Sequence, residues 1–151
     1  MVALAAADHY LTSSEKTSDP ALDQLTVLAA VAAGTSSLGL ATLVSPVTFR
    51  HPAVLLKQAV SLDEISGGRF ALGVGTGWME PEHSLFGIDF PAEAERFDRL
   101  DEALGYLRAA LDPESPGFRG RYFNLARFES HPRPANLRLL ASDRSSNYEA
   151  G

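Results

Sequence analysis

The chain has 151 residues, 45% of them hydrophobic and 21% charged, with a net charge of −6 from 13 Lys plus Arg against 19 Asp plus Glu. That length suffices for one domain with a real core, and the acidic balance disfavours nucleic acid and anionic membrane surfaces as partners, leaving small molecules. The sequence has no cysteine, which excludes disulfides, thiol nucleophiles and thiolate metal sites.

In chain order, MVALAAADHY is apolar but has no basic leader and reaches Asp8 early, so it is read as the start of a cytoplasmic chain and not as a secretory signal. The run from Gln24 to Phe49 carries no formal charge and is long enough for a bilayer at about 20 residues. Gly34, Thr35, Ser36 and Ser37 interrupt it and Pro46 ends it, so a buried helix followed by a buried strand is expected instead. Asp19 and Pro20 suggest the helix entry, and Leu25, Leu28, Ala29 and Ala32 its apolar face. The following LGLATLV, Leu38 to Val44, is apolar on both faces, as in a parallel strand covered on each side, and Pro46 is expected to stop its pairing.

Pro52 suits the first turn of a second helix, with Val54, Leu55, Ala59, Leu62 and Ile65 at helical spacing and Gly67 and Gly68 as its stop. Arg69 to Val74 reads as the next strand, and GTGW at 75–78 as a turn just past its carboxyl end. Pro91 opens a third helix with a stripe of Ala94, Phe97, Leu100, Leu104, Leu107 and Leu111, and Glu93 and Glu95 in its first turn complement the helix dipole. Gly117 to Pro134 suits a short hairpin or an irregular excursion, Leu137 to Ala141 offers one more strand, and the remainder reads as a frayed tail. Helices alternating with apolar strands argue for a parallel α/β architecture. A complete eight-stranded β/α barrel needs about 250 residues, so the expectation is a partial one.

ADHYL at 7–11, FRHP at 49–52, GGRF at 67–70, GVGTGW at 73–78 and ERFDRLDEAL at 95–104, in that order, closely resemble the bacterial-luciferase-like monooxygenase family. The resemblance covers about residues 5–134. It implies a (β/α)8 TIM barrel lacking the first and the later strands, residues 1–134 forming the partial barrel and 135–151 a divergent tail. It also implies a flavin- or deazaflavin-dependent oxidoreductase acting on a small organic substrate, with FMN or coenzyme F420 undecided, and a homo-oligomer. The later loops that hold much of the flavin phosphate site in the family are not matched. The competing reading is therefore a non-catalytic remnant, or an oligomerising interaction module, that buries its strand edges against a partner.

Barrel enzymes place their chemistry at the carboxyl ends of the strands, and the candidate residues cluster there. By the resemblance, His9 faces the reactive edge of the flavin as a proton-exchanging group and Asp8 shapes the pocket; without it, Asp8 caps a turn and His9 is a loop imidazole. Thr42, Leu43 and Val44 correspond to a backbone bulge, often with a non-prolyl cis peptide, that supports the flavin ring. Alternation of Gly73, Gly75 and Gly77 fails the dinucleotide and phosphate-loop patterns. It suits close approach of another backbone or a flat ring, which makes Thr76, Gly77 and Trp78 pocket candidates. Some deazaflavin-dependent relatives carry an acid where Trp78 stands; Glu80 or Glu82 could supply one or be a solvated loop charge. Arg50 and His51 are read as loop anchors. His83 and His131 lack metal-ligand spacing to a partner, and no metal is expected.

Overall fold

The computed structural model describes residues 2–12, 19–127 and 131–141. Four principal strands lie side by side: β1 (Ala3–Ala6), β2 (Gly39–Thr42), β4 (Phe70–Gly75) and β7 (Arg138–Ala141), all parallel. A two-residue β3 (Ser45–Pro46) continues the line of β2 and also pairs parallel with β4, making a five-stranded sheet. The crossovers are α1 (Gln24–Gly34) and α2 (Pro52–Ser66), followed after β4 by α3 (Glu80–Phe86) and α4 (Glu93–Leu111). A hairpin of β5 (Phe118–Arg119) and β6 (Asn124–Leu125) precedes β7. This is a sector of a β/α barrel, with both of its edge strands, β1 and β7, largely exposed.

Local signals set most boundaries. Asp23 caps α1 by accepting from the Thr26 N–H at 2.8 Å, so the helix begins at Gln24 and not at Asp19–Pro20. His51 accepts from the Ala53 N–H at 3.1 Å ahead of Pro52, and Gly67 closes α2 at φ 65°. Pro46 does not stop the pairing as expected. In a parallel ladder one edge of a strand is served by alternate residues, and here the Val47 N–H donates to Gly75 O at 2.9 Å, so the missing proline donor is not needed.

Phe70, Leu72 and Val74, alternating along β4, are fully buried against Leu28 of α1, Leu55 and Ala59 of α2 and Leu107 of α4. Each such side chain contributes about 1.5–3 kcal/mol on burial. Two predicted stripes are rotated. Val54 and Ile65 point outward into a groove between α1 and α2 while Leu56 and Val60 turn in, and α4 buries Ala103, Tyr106 and Ala110 while Ala94 is exposed. The hairpin is held to α4 by Glu102, whose carboxylate accepts from the N–H groups of Arg121, Tyr122 and Phe123 at 2.7, 2.8 and 3.1 Å. Asp63 of α2 accepts from the Ala135 and Asn136 N–H groups and so sets the entry to β7. No described helix is long and apolar enough to cross a membrane.

Candidate functional site

The carboxyl ends of β1, β2 and β4 converge because the registers align Ala6 with Thr42 and Ser45 with Val74. Asp8, His9, Leu43, Val44, Thr76, Gly77 and Trp78 lie on the loops that leave these ends, and Thr42 is the last residue of β2. Asp8 is fully buried, and both of its oxygens are taken by the Arg50 guanidinium, whose Nη2 also reaches Asp23 Oδ2 at 3.1 Å. Arg50 thus ties the loop after β1, the loop before α2 and the cap of α1 together. Burial alone would lower the Arg50 pKa, but the hydrogen bond and charge of Asp8 outweigh it and hold the guanidinium above its ordinary value. Burial likewise opposes ionisation of Asp23, yet the bonds from Thr26 and Arg50 hold its carboxyl below the usual range.

His9 lies beside this anchor. Its Nδ1 is 2.8 Å from Oε1 of Glu82, and its ring meets Trp78 edge-on at 5.6 Å between centroids. The other Glu82 oxygen accepts from the Tyr10 N–H at 3.0 Å. Glu82 is 1% exposed, so it is no solvated loop charge. Tyr10 stacks on Phe49 at 4.3 Å, and burial pushes its hydroxyl pKa up against the opposing charge of Arg50. His83, fully buried between Phe49 and Phe90, donates from Nδ1 to Met79 O at 2.8 Å, and its Nε2 accepts from the Thr48 hydroxyl at 2.7 Å. With both nitrogens engaged, it fastens the turn after β4 and does not face a ligand.

The Leu43–Val44 peptide bond is cis, as the family resemblance suggests for this bulge. Thr42 is fully buried and its hydroxyl both donates to Gly73 O and accepts from Gly73 N–H at 2.9 Å, so its contribution to a pocket is the backbone position alone. A Cβ on Gly73 would lie 2.2 Å from Thr42 O, and one on Gly77 would lie 3.1 Å from Thr48 Oγ1. The space left by these two glycines is therefore filled by the chain itself and not left for a ring. What remains open is apolar: Leu43 is 63% exposed and Trp78 70%, with the partly buried Val44, Thr76 and Gly77 nearby in sequence. Leu43 and Trp78 thus present exposed apolar side chains on the loops that follow β2 and β4. Among the described residues, no group of three or more His, Cys, Asp or Glu side chains could hold a metal ion.

Sequence reasoning offered Glu82 only as one of two possible pocket acids, with a solvated charge as the alternative, and it did not foresee the double bridge of Arg50. The signal for Glu82 was Met79-Glu80-Pro81-Glu82-His83, a proline-opened turn whose Met79, Glu82 and His83 lie on one inward face.

A parallel sheet whose loops gather a buried ion pair, an imidazole and an open apolar wall at the strand carboxyl ends has the layout of a β/α-barrel enzyme. The model of the luciferase-like monooxygenase family matches residues 3–141, and this chain belongs to that family. It is 32% identical over 134 residues to the pyrimidine monooxygenase RutA of Agrobacterium fabrum, covering 83% of this chain and 35% of the relative. The chain thus spans about a third of the length of that relative. Among solved structures, monooxygenase RslO1 from Streptomyces bottropensis superposes with a TM-score of 0.74 at 26% identity over 96% of this chain and 43% of the other. Two more share the fold. An F420-dependent secondary alcohol dehydrogenase has a TM-score of 0.77 at 21% identity over 92% of this chain and 42% of its own. The riboflavin lyase RcaE, solved with modified FMN and riboflavin, has 0.74 at 22% identity over 96% and 40%.

Proposed function

We propose that this chain supplies the proton-handling face and one ring wall of a flavin- or deazaflavin-dependent oxidoreductase of the monooxygenase class acting on a small organic substrate. The observation that carries the reading is His9, set at the carboxyl end of β1, hydrogen-bonded to buried Glu82 and edge-on to the exposed Trp78. Leu43, Val44, Thr76, Gly77 and Trp78 would hold FMN or coenzyme F420, with Thr42 and Asp8 acting through backbone position and the Arg50 anchor. The bound group supplies the redox chemistry. The protein orients it, excludes water on one side and moves a proton at His9.

The test is titration of the chain with FMN and, separately, with F420, followed by Trp78 emission and by urea unfolding. A ligand at about 100 times its Kd raises native stability by about 2.7 kcal/mol, a clear midpoint shift. No quenching and no shift with either cofactor overturns the reading.

The exposed edges of β1 and β7 favour a second reading, an oligomerising module that pairs these strands with another chain. A stable oligomer without affinity for either cofactor, seen by light scattering, selects it.

A further inference from the structure

We propose that Glu82 is a positioning residue that locks His9 in the tautomer protonated on Nδ1 and so leaves Nε2 as the proton-accepting atom. Both Glu82 oxygens are committed, Oε2 to the Tyr10 backbone N–H at 3.0 Å and Oε1 to His9 Nδ1 at 2.8 Å. A backbone N–H can only donate and a carboxylate oxygen only accepts, so the proton between Glu82 and His9 belongs to the imidazole. A neutral imidazole has one such proton, which leaves Nε2 bare. No described residue bonds to that nitrogen.

The neighbouring charges do not compete for His9. Asp8 is consumed by Arg50, Arg50 is shared between Asp8 and Asp23, and the Tyr10 ring lies on Phe49. His83 gives the internal contrast. Its Nδ1 bonds to a carbonyl, which also fixes the Nδ1–H tautomer, but its Nε2 is occupied by the Thr48 hydroxyl. The same tautomer is thus consumed in the scaffold at one histidine and left available at the other.

In turnover, Nε2 would form an N–H bond as a substrate X–H bond breaks, with the electron pair staying on X and the resulting imidazolium held by Glu82; the proton returns by the reverse step. That use of Nε2 rests on the function proposed above. The tautomer does not.

Glu82→Gln gives a sharp test. The glutamine oxygen must stay on the Tyr10 N–H, which has no alternative role, so the amide NH2 turns to His9 Nδ1 and forces it to accept. The prediction is that His9 flips from Nδ1–H to Nε2–H. Two-dimensional NMR on ¹⁵N-histidine-labelled chain at about pH 8, where ordinary imidazoles are neutral, reads this directly, the His9 signal being assigned by its loss in His9→Ala. Glu82→Asp, which keeps two acceptors, should retain Nδ1–H. Turnover of Glu82→Gln should fall roughly 10²- to 10⁴-fold, the contribution of a positioned general base.

An Nε2–H tautomer in the unaltered chain overturns the proposal, as does an unchanged tautomer in a folded Glu82→Gln. Should that variant unfold, the unaltered chain alone still decides. Absence of any FMN or F420 response in the unaltered chain removes the proposed function and leaves the tautomer assignment standing.

Discussion

Replacing Arg50 with methionine keeps the length and apolar stem of the side chain and removes the guanidinium that joins Asp8 to Asp23. The Asp8 side chain is 0% exposed and Arg50 8%, so the aspartate is left as a buried carboxylate with neither partner nor water. Removing one member of a buried pair costs about 3–5 kcal/mol. Asp23, whose side chain is 39% exposed, stays hydrated and adds little. Set against a total stability of about 5–15 kcal/mol, Arg50→Met should lower Tm by roughly 6–20 °C at about 2–4 °C per kcal/mol for a chain of this size.

Urea unfolding followed by far-ultraviolet circular dichroism measures the loss. Trp78 emission is the poorer probe of unfolding, because the indole is already 70% exposed in the folded chain. Adding Asp8→Asn removes the orphaned charge, so the double variant should be more stable than Arg50→Met alone. A single variant within about 1 kcal/mol of the unaltered chain, where about 3–5 is expected, refutes the reasoning. So does a double variant no better than the single.

Thr42→Val preserves shape but leaves the buried N–H and C=O of Gly73 without the hydroxyl, at about 1–3 kcal/mol each; the urea midpoint should fall, and an unchanged midpoint refutes the reading. His9→Ala should reduce turnover while leaving the FMN or F420 titration midpoint in place, and unchanged turnover removes His9 from the chemistry. Burial pushes the Glu102 carboxyl up, but the N–H groups of Tyr122, Arg121 and Phe123 outweigh it, so its pKa lies below its ordinary 4.5. A carboxyl depressed on folding stabilises above its unfolded pKa and loses that contribution as pH falls through the folded value. Acid unfolding scanned downward from pH 4.5 should therefore show a limb that Glu102→Gln flattens.

The sequence was readable wherever a residue acts through its immediate neighbours along the chain. Pro52 and Gly67 bracket α2 because one lacks the donor that a first turn does not need and the other takes positive φ without strain. Trp78 was placed just past a strand end by the apolar run before it, and Asp8 and His9 by the family resemblance. Failures came where a residue acts across the fold. Glu82 meets His9 and Tyr10 over 73 and 72 positions of sequence; its inward face was readable beside Met79 and His83, but the partners it finds there were not. The outward turn of Val54 and Ile65 follows from which neighbour α2 packs on, which periodicity alone does not choose. The start of α1 was legible in principle, since Asp23 and Thr26 have the spacing of a cap, but the Asp-Pro pair just upstream carried the same sign more loudly.

An ordinary rung of a parallel sheet is indifferent to sequence, because peptide groups bond to peptide groups whatever side chains they carry. Between β2 and β4 one rung is written in side-chain chemistry instead, with the Thr42 hydroxyl answering both polar groups of Gly73. Position 42 therefore admits only a small hydroxyl residue and position 73 only glycine, whose absent Cβ leaves room for Thr42 O. Randomising the two together should return threonine or serine at the first and glycine at the second.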